Sequence, residues 1–346
     1  MKGFASSFAI AGRQVGGGAP CYVIAEAGVS HFGSLEKAFR LVDLAARAGA
    51  DAVKFQHFDA DRMIGPSAPD WRRRMASRQL SDADMARVAE HARKSGITFL
   101  CTGHEEAALD FLDRSIGVPA FKIGSGEVEN WPFIGDIARR GKPVIISTGM
   151  YTMDLVAQAL DVLASNGARE VAVLHCITSY PADPATVNLD SMRQIRSLFP
   201  GPVGYSDHTA GTAVPLAAVA LGAEVIEKHI TLEFDIPDAQ DWKVSCGPEN
   251  LSAFVADIRA VTAARGGAER RLGDNEIAAL RWARKSLTSA RDIAAGEVII
   301  AGMLVGKRPG DGLPPSRLAD ILGRRARAAI PAGTKVSADM FGIEPK

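Results

Sequence analysis

Between residues 21 and 262 one unit recurs eight times: a short run rich in Val, Ile and Phe, then a longer amphipathic segment, with Gly, Pro or Asp at the junctions. The strand-like runs are CYVIAEAG, DAVKFQHF, TFLCTG, AFKIGSGE, PVIISTGM, VAVLHCITS, PVGYSDHT and EVIEKHITL. Segments between and after them, such as SLEKAFRLVDLAARAG, SDADMARVAEHARKSG, WPFIGDIARRG, MDLVAQALDVLASNG and PENLSAFVADIRAV, space their apolar residues at the helical period. Several open on Ser, Asp or Pro and close on Gly, which suits the unpaired backbone groups at helix ends. Eight strand-helix units with right-handed crossovers close an α/β fold of the (β/α)8 TIM-barrel type, and about 240 residues is near the usual size of such a barrel. An open doubly wound sheet is the alternative. The first turn reads GVSHFGS, with no GxGxxG after the strand, which counts against a dinucleotide site.

The texture changes near residue 265. ARGGAERRLGDNE is polar, and beyond ALRWARKS lies an internal repeat: IAAGEVIIAGML at 293–304 and IPAGTKVSADMF at 330–341 share I-x-A-G-x-x-(I/V)-x-A-x-M, with KRPGDGLPP between them. A duplicated strand-turn-strand unit predicts a small pseudo-symmetric β domain. The expected organisation is a barrel over 1–265, a linker over 266–284 and a β-rich domain over 285–346.

Forty basic and forty acidic residues leave a net charge of zero, so no general attraction to nucleic acid or to an anionic membrane is expected. The local basic runs WRRRM and GRRARA read as solvated faces. Cysteines 21, 101, 176 and 246 have no CxxC spacing, which fits a reducing cytoplasm. No stretch approaches the roughly 18 apolar residues of a membrane span.

In a barrel of this kind the carboxyl-terminal strand ends share one face, where active sites sit. Every strand supplies polar residues there: Glu26; Lys54 and Gln56; Thr102; Lys122 and Ser125; Ser147; Thr178 and Tyr180; Ser206, Asp207 and His208; and His229. Two lysines and several hydroxyls on one face suit a polyanion such as a phosphorylated carboxylate. His208 and His229 end adjacent strands, so their imidazoles can converge on one ion. With two neutral nitrogen donors the site would be completed by water and substrate oxygen, suiting Mn²⁺ or Mg²⁺ better than catalytic Zn²⁺. Two histidines hydrogen-bonded to neighbours such as Asp207 are the alternative.

The motifs IAEAGVSHFGS, GADAVKFQ, FKIGSGE, KPVIISTGM, LHCITSYP, GYSDHT, EVIEKHIT and KRPGDG, in this order, resemble those of the sialic acid synthase family, which makes nonulosonic acids from phosphoenolpyruvate and an N-acylated amino sugar. The small domain is similar to the family's antifreeze-like (SAF) domain. The resemblance implies metal ligation by His208 and His229, with Mn²⁺ the expected ion and Mg²⁺ or Co²⁺ alternatives. It implies phosphoenolpyruvate contacts at Lys54, Thr102, Lys122, Ser125, Ser147, Thr178 and Ser206, and sugar contacts at Gln56, Tyr180 and Asp241. Glu26 matches the acid that handles water. Arg308 matches an arginine that one subunit extends into its partner's barrel, implying a domain-swapped homodimer.

Three departures fall on the sugar side or near it. Ser30 stands where Asn is usual, His104 lies in CTGHEE where many members have Thr-Pro-Phe, and Trp242 follows Asp241 where His is common. The expected product is a neuraminate or legionaminate, with pseudaminate as the alternative. A Schiff-base aldolase using Lys54 or Lys122 and a non-catalytic carbohydrate- or ice-binding protein are the competing classes.

Overall fold

The computed structural model describes residues 3–267 and 269–344. Residues 1, 2, 268, 345 and 346, which belong to the three expected segments, lie outside the described residues. The chain divides into two compact units, residues 1–266 and 267–346.

The first unit opens with an antiparallel hairpin of β1 (Ser7–Ile10) and β2 (Arg13–Gly16). Eight parallel strands follow: β3 (Tyr22–Gly28), β4 (Ala52–His57), β5 (Thr98–Gly103), β6 (Phe121–Ile123), β7 (Val144–Ser147), β8 (Val171–Cys176), β9 (Val203–Asp207) and β10 (Val225–His229). Their hydrogen-bonded order is β5-β4-β3-β10-β9-β8-β7-β6. The two ends of that order, β5 and β6, lie beside each other, so the sheet curls into a nearly closed TIM-type barrel. Each of the eight strand-like runs read from the sequence contains one of these strands.

Helices on the outside follow the expected amphipathic segments, including Leu35–Arg47, Asp82–Lys94, Trp131–Arg139, Met153–Ser165 and Leu251–Arg265. Side-chain caps fix several starts: Ser34 accepts from the amide of Lys37, Ser81 from Asp84 and Thr152 from Leu155. The inward stripe of each of these five helices packs on the outward residues of the strands, as Leu41, Val42 and Ala45 do with Val23, Val53 and Phe55. The WRRRM helix, Pro69–Ala76, buries no residue, which agrees with its reading as a solvated face.

Strand alternation sorts the barrel interior into layers. Tyr22, Ile24, Ala52, Leu100, Ala120, Ile145, Leu174 and Val225 fill the lower part, and Phe8, Ile10 and Val15 of the hairpin join the same cluster. Truncating Ile24 to Ala would cost about 2–5 kcal/mol through lost contact and the cavity left behind. Asp51 ties this end together: its carboxylate takes the Val23 amide at 2.7 Å, Arg259 at 2.8 Å and Arg13 at 2.7 Å. One step further up, the same inward phase carries Glu26, Lys54, Thr102, Lys122, Ser147, Ser206 and Glu227 on seven of the strands and Cys176 on β8, and there the site begins.

In the second unit, the stretch expected as a linker contains a helix, Asp274–Ala283, that buries no residue. An antiparallel pair, β11 (Ser286–Ser289) and β12 (Leu304–Lys307), follows. The two copies of the repeat meet: Ile293 and Ile330 exchange both backbone hydrogen bonds, at 2.9 and 2.8 Å. Ile299 and Leu304 of one copy share a core with Val336 and Phe341 of the other. Gly296 and Gly333, at matching repeat positions, both take positive φ (77° and 76°), a conformation that strains other residues.

Candidate active site

The strand register sets the site. Glu26 is paired with Lys54 on β4 and with His229 on β10, Gln56 with Thr102, and Ser206 with both Glu227 and Cys176. The inward members of these pairs line a cavity of about 170 Å³ at the carboxyl-terminal mouth of the barrel. Of the fourteen residues expected at the site, twelve line it: Glu26, Lys54, Gln56, Thr102, Lys122, Ser125, Ser147, Thr178, Tyr180, Ser206, His208 and His229. Asp241 stands just outside, in the turn Asp241–Val244, with Oδ2 3.9 Å from His229 Nδ1. Arg308 belongs to the second unit, where its Nε donates to the Ala283 carbonyl at 2.8 Å.

The lysines are not bare charges. Lys54 Nζ lies 2.7 Å from Glu26 Oε2 and 3.7 Å from Glu227 Oε2, and it donates to Thr102 at 3.3 Å. Lys122 Nζ donates to Ser147 at 2.7 Å and to the Ile123 carbonyl at 2.9 Å, and lies 3.8 Å from Glu227. Burial pulls the ammonium of Lys54 toward neutrality, but Glu227 and Glu26 outweigh it, and its pKa is raised. For Lys122 burial prevails, aided by Lys54 against Glu227, and the pKa is lowered. Glu227 is shifted in the acid direction: burial raises its pKa, yet Lys122, Lys54 and His229 bring it to about 2. Two cations and two carboxylates therefore interlock, and an anion entering the cavity competes with Glu26 and Glu227 for the lysines.

Glu227 is the residue that a survey of strand ends misses, along with Cys176, His104, Gly124 and Gly126, which also line the cavity. The signal for Glu227 is the period of two in EKH: it shares the inward phase of His229, while Lys228 faces away and pairs with Asp207. Asp207 also accepts from the amide and hydroxyl of Thr209, so it braces the strand end and does not enter the cavity.

The two histidines sit with ring centroids 5.3 Å apart. His208 donates from Nδ1 to the Ile177 carbonyl at 2.7 Å, which leaves Nε2 as a lone pair; Tyr180 Oη donates to it at 3.0 Å. Burial, with help from His229, holds the His208 pKa at about 4, so the ring is neutral. His229 Nδ1 is buried without a hydrogen-bond partner. One orphaned ring nitrogen and one lone pair held only by a hydroxyl fit a divalent cation that keeps most of its coordination for water and substrate oxygen. Among the described residues no group of three or more His, Cys, Asp or Glu is placed to hold a metal.

Ser125 opens the turn Ser125–Glu127 after β6, and its hydroxyl accepts from the Gly149 amide at 3.0 Å. Trp242 does not reach the cavity: its indole donates to the Ile236 carbonyl at 3.1 Å and pins the loop before it. Ser30 is buried in the turn after β3, where its amide donates to Ala27.

Fold and site together define a (β/α)8-barrel enzyme whose polar cavity suits a small, multiply charged substrate. The chain belongs to the NeuB family, which it matches over residues 41–270, and it carries a SAF domain over residues 284–342. It is 38% identical to the N,N'-diacetyllegionaminic acid synthase of Legionella pneumophila, across 91% of this chain and 92% of that protein. It is 39% identical to the enzyme of the same name from Campylobacter jejuni, across 88% and 95%. The solved N-acetylneuraminic acid (sialic acid) synthetase of Leptospira borgpetersenii matches with a TM-score of 0.75 at 29% identity, across 81% of this chain and 97% of that one. Among the described residues no helix is long and apolar enough to cross a membrane.

Proposed function

We propose that this synthase condenses phosphoenolpyruvate with the open-chain form of an N-acylated, mannosamine-type amino sugar, giving a nonulosonic acid and phosphate. The observation that carries the reading is the convergence of Lys54, Lys122 and a set of hydroxyls on one cavity whose opposite wall holds His208 and His229. Similarity to two legionaminic acid synthases supports a 2,4-diacetamido sugar as the partner substrate. Pseudaminate synthesis from an epimeric sugar is the second reading.

Lys54 and Lys122 bind the carboxylate and phosphate, with Thr102, Ser125, Ser147, Thr178 and Ser206 as neutral donors around them. Gln56, Tyr180 and Asp241 face the sugar. A divalent cation held by His208 and His229, Mn²⁺ in the first place and Mg²⁺ or Co²⁺ otherwise, supplies Lewis-acid polarisation of the aldehyde oxygen when bound. Carbon 3 of phosphoenolpyruvate attacks the aldehyde carbon, water adds at carbon 2, and the tetrahedral intermediate loses phosphate by C–O cleavage. Glu26 takes the proton from that water, a role worth about 10²–10⁴ in rate. Glu227, kept in its carboxylate form by Lys122 and Lys54, holds the two ammonium groups in place.

We further propose a homodimer in which Arg308 of one subunit contacts the sugar in the partner's barrel, working in the cytoplasm. The four cysteines, all free and buried, accord with a reducing compartment.

The test is phosphate release from phosphoenolpyruvate with Mn²⁺ and a panel of N-acylated amino sugars, including the 2,4-diacetamido epimers. Turnover that depends on metal and is lost with chelator is expected. No release with any sugar would overturn the proposal, and a borohydride-trapped pyruvate adduct on Lys122 would replace it with a Schiff-base aldolase.

A further inference from the structure

His104 follows β5 and forms part of the cavity wall with Thr102, Lys54 and Lys122. Its backbone is fixed on both sides. The His104 amide donates to the His57 carbonyl at 3.3 Å, and Glu105 caps the next helix by accepting from Ala107 and Ala108. Phe58 packs edge-on against the imidazole, ring centroids 6.1 Å apart. Yet among the described residues neither ring nitrogen of His104 takes part in any hydrogen bond.

Such a ring beside two ammonium groups is an unusual resident. Burial, then Lys54 and Lys122, hold its pKa at about 4, so it stands neutral with one N–H donor and one lone pair unused. The other ionisable groups around it are engaged: Glu26 from β3 and Glu227 from β10 with the lysines, His57 from β4 with Asp82, and Glu105 in its cap. The half-buried ring is open to the cavity, so its nitrogens are met by water in the free site and by whatever displaces that water on binding.

We propose that His104 is a further phosphate-binding residue of this site: its imidazole donates to the phosphate of phosphoenolpyruvate and takes up a proton from solvent as the anion settles between Lys54 and Lys122. This rests on the function proposed above. The bound phosphate cancels the lysine repulsion that keeps the free ring neutral and adds an opposite charge within hydrogen-bond reach, both of which favour the imidazolium.

Calorimetric titration of the full chain with phosphoenolpyruvate at pH 7.5, in two buffers of different ionisation enthalpy, counts the protons exchanged. The wild type is expected to take up close to one proton per site. His104→Gln, which keeps an N–H donor, should lose the uptake and bind a few-fold more weakly, whereas His104→Phe should lose the uptake and about tenfold in affinity, the scale of one charge-assisted hydrogen bond. Zero uptake by the wild type, or the same uptake in wild type and His104→Gln, overturns the inference even if His104→Phe fails to fold. A wild type that takes up a proton on binding inorganic phosphate but neither binds phosphoenolpyruvate nor releases phosphate from it would instead refute the proposed reaction and leave His104 as an anion-binding residue.

Discussion

Tyr180 Oη donates to His208 Nε2 at 3.0 Å, on the one lone pair that His208 has left for a metal. Cation and hydroxyl therefore compete for the same nitrogen. Tyr180→Phe removes the competitor with little change in volume, and Mn²⁺ should bind about two- to tenfold more tightly, the scale of one modest hydrogen bond. Titration of free Mn²⁺ by electron paramagnetic resonance reads this directly. Unchanged affinity would mean that His208 Nε2 is not a ligand. Turnover should fall regardless, because Tyr180 also faces the sugar in the proposed reaction.

Glu227 offsets the charges of Lys54 and Lys122 from below, 3.7 and 3.8 Å from their ammonium groups. Glu227→Gln preserves shape and leaves the two buried cations with only Glu26 between them. Removing one member of such a buried network costs about 3–5 kcal/mol. The variant should melt well below the wild type, and saturating phosphoenolpyruvate should recover more of its stability than it adds to the wild type, since the substrate restores the missing anion. Equal melting temperatures without substrate would show that Glu227 does not carry this role.

His31, His104 and His208 are each held near a pKa of about 4, in each case chiefly by burial. An unfolded histidine titrates near 6.5, so between about pH 6.5 and 4 the unfolded chain binds more protons than the folded one, and stability rises with pH there. Full stability is present above 6.5 and is lost as pH falls through the window, with a slope from these three groups of at most about 4 kcal/mol per pH unit. Urea unfolding at pH 7.5, 6 and 5 measures it. His31→Asn, which can still accept from the Gly33 amide as His31 does at 3.1 Å, should flatten the slope. Stability independent of pH between 7 and 5 would contradict the assignment of buried neutral rings.

The barrel could be read from the chain because each of its strands is a local apolar run and the long helices carry apolar stripes, three of them, Leu35–Arg47, Asp82–Lys94 and Met153–Ser165, with a Ser or Thr cap as well, all signals within a dozen residues. The mouth residues were legible for a related reason, since strand direction alone carries Lys54, Lys122 and His229 to one face. What sequence order does not contain is who neutralises whom. Glu227 lies 173 residues from Lys54 by numbering (227 − 54) and touches it only because β10 and β4 flank β3. The helix Asp274–Ala283 escaped for the opposite reason: with nothing buried, it shows no core-facing stripe and reads as polar linker.

Gly149 marks where backbone and site come closest. A Cβ placed there would lie 2.2 Å from Thr178 Oγ1 and 2.9 Å from Ser125 Oγ, while the Gly149 amide already donates to that serine. Gly149→Ala must therefore displace both hydroxyls from the positions they hold in the cavity wall. Thr178 is exposed and free to turn, so the fold should survive, with melting shifted little. The phosphoenolpyruvate contacts are another matter: losing two aligned donors should raise KM for phosphoenolpyruvate by about tenfold or more, at about 1 kcal/mol each, with less effect on the KM for the sugar. Adding Thr178→Ala to Gly149→Ala separates the two. If the double variant stays weak, the displaced Ser125 hydroxyl is the important donor. If it regains affinity, the clash with Thr178 was the whole effect. A Gly149→Ala enzyme with wild-type KM for phosphoenolpyruvate would show that neither hydroxyl faces that substrate.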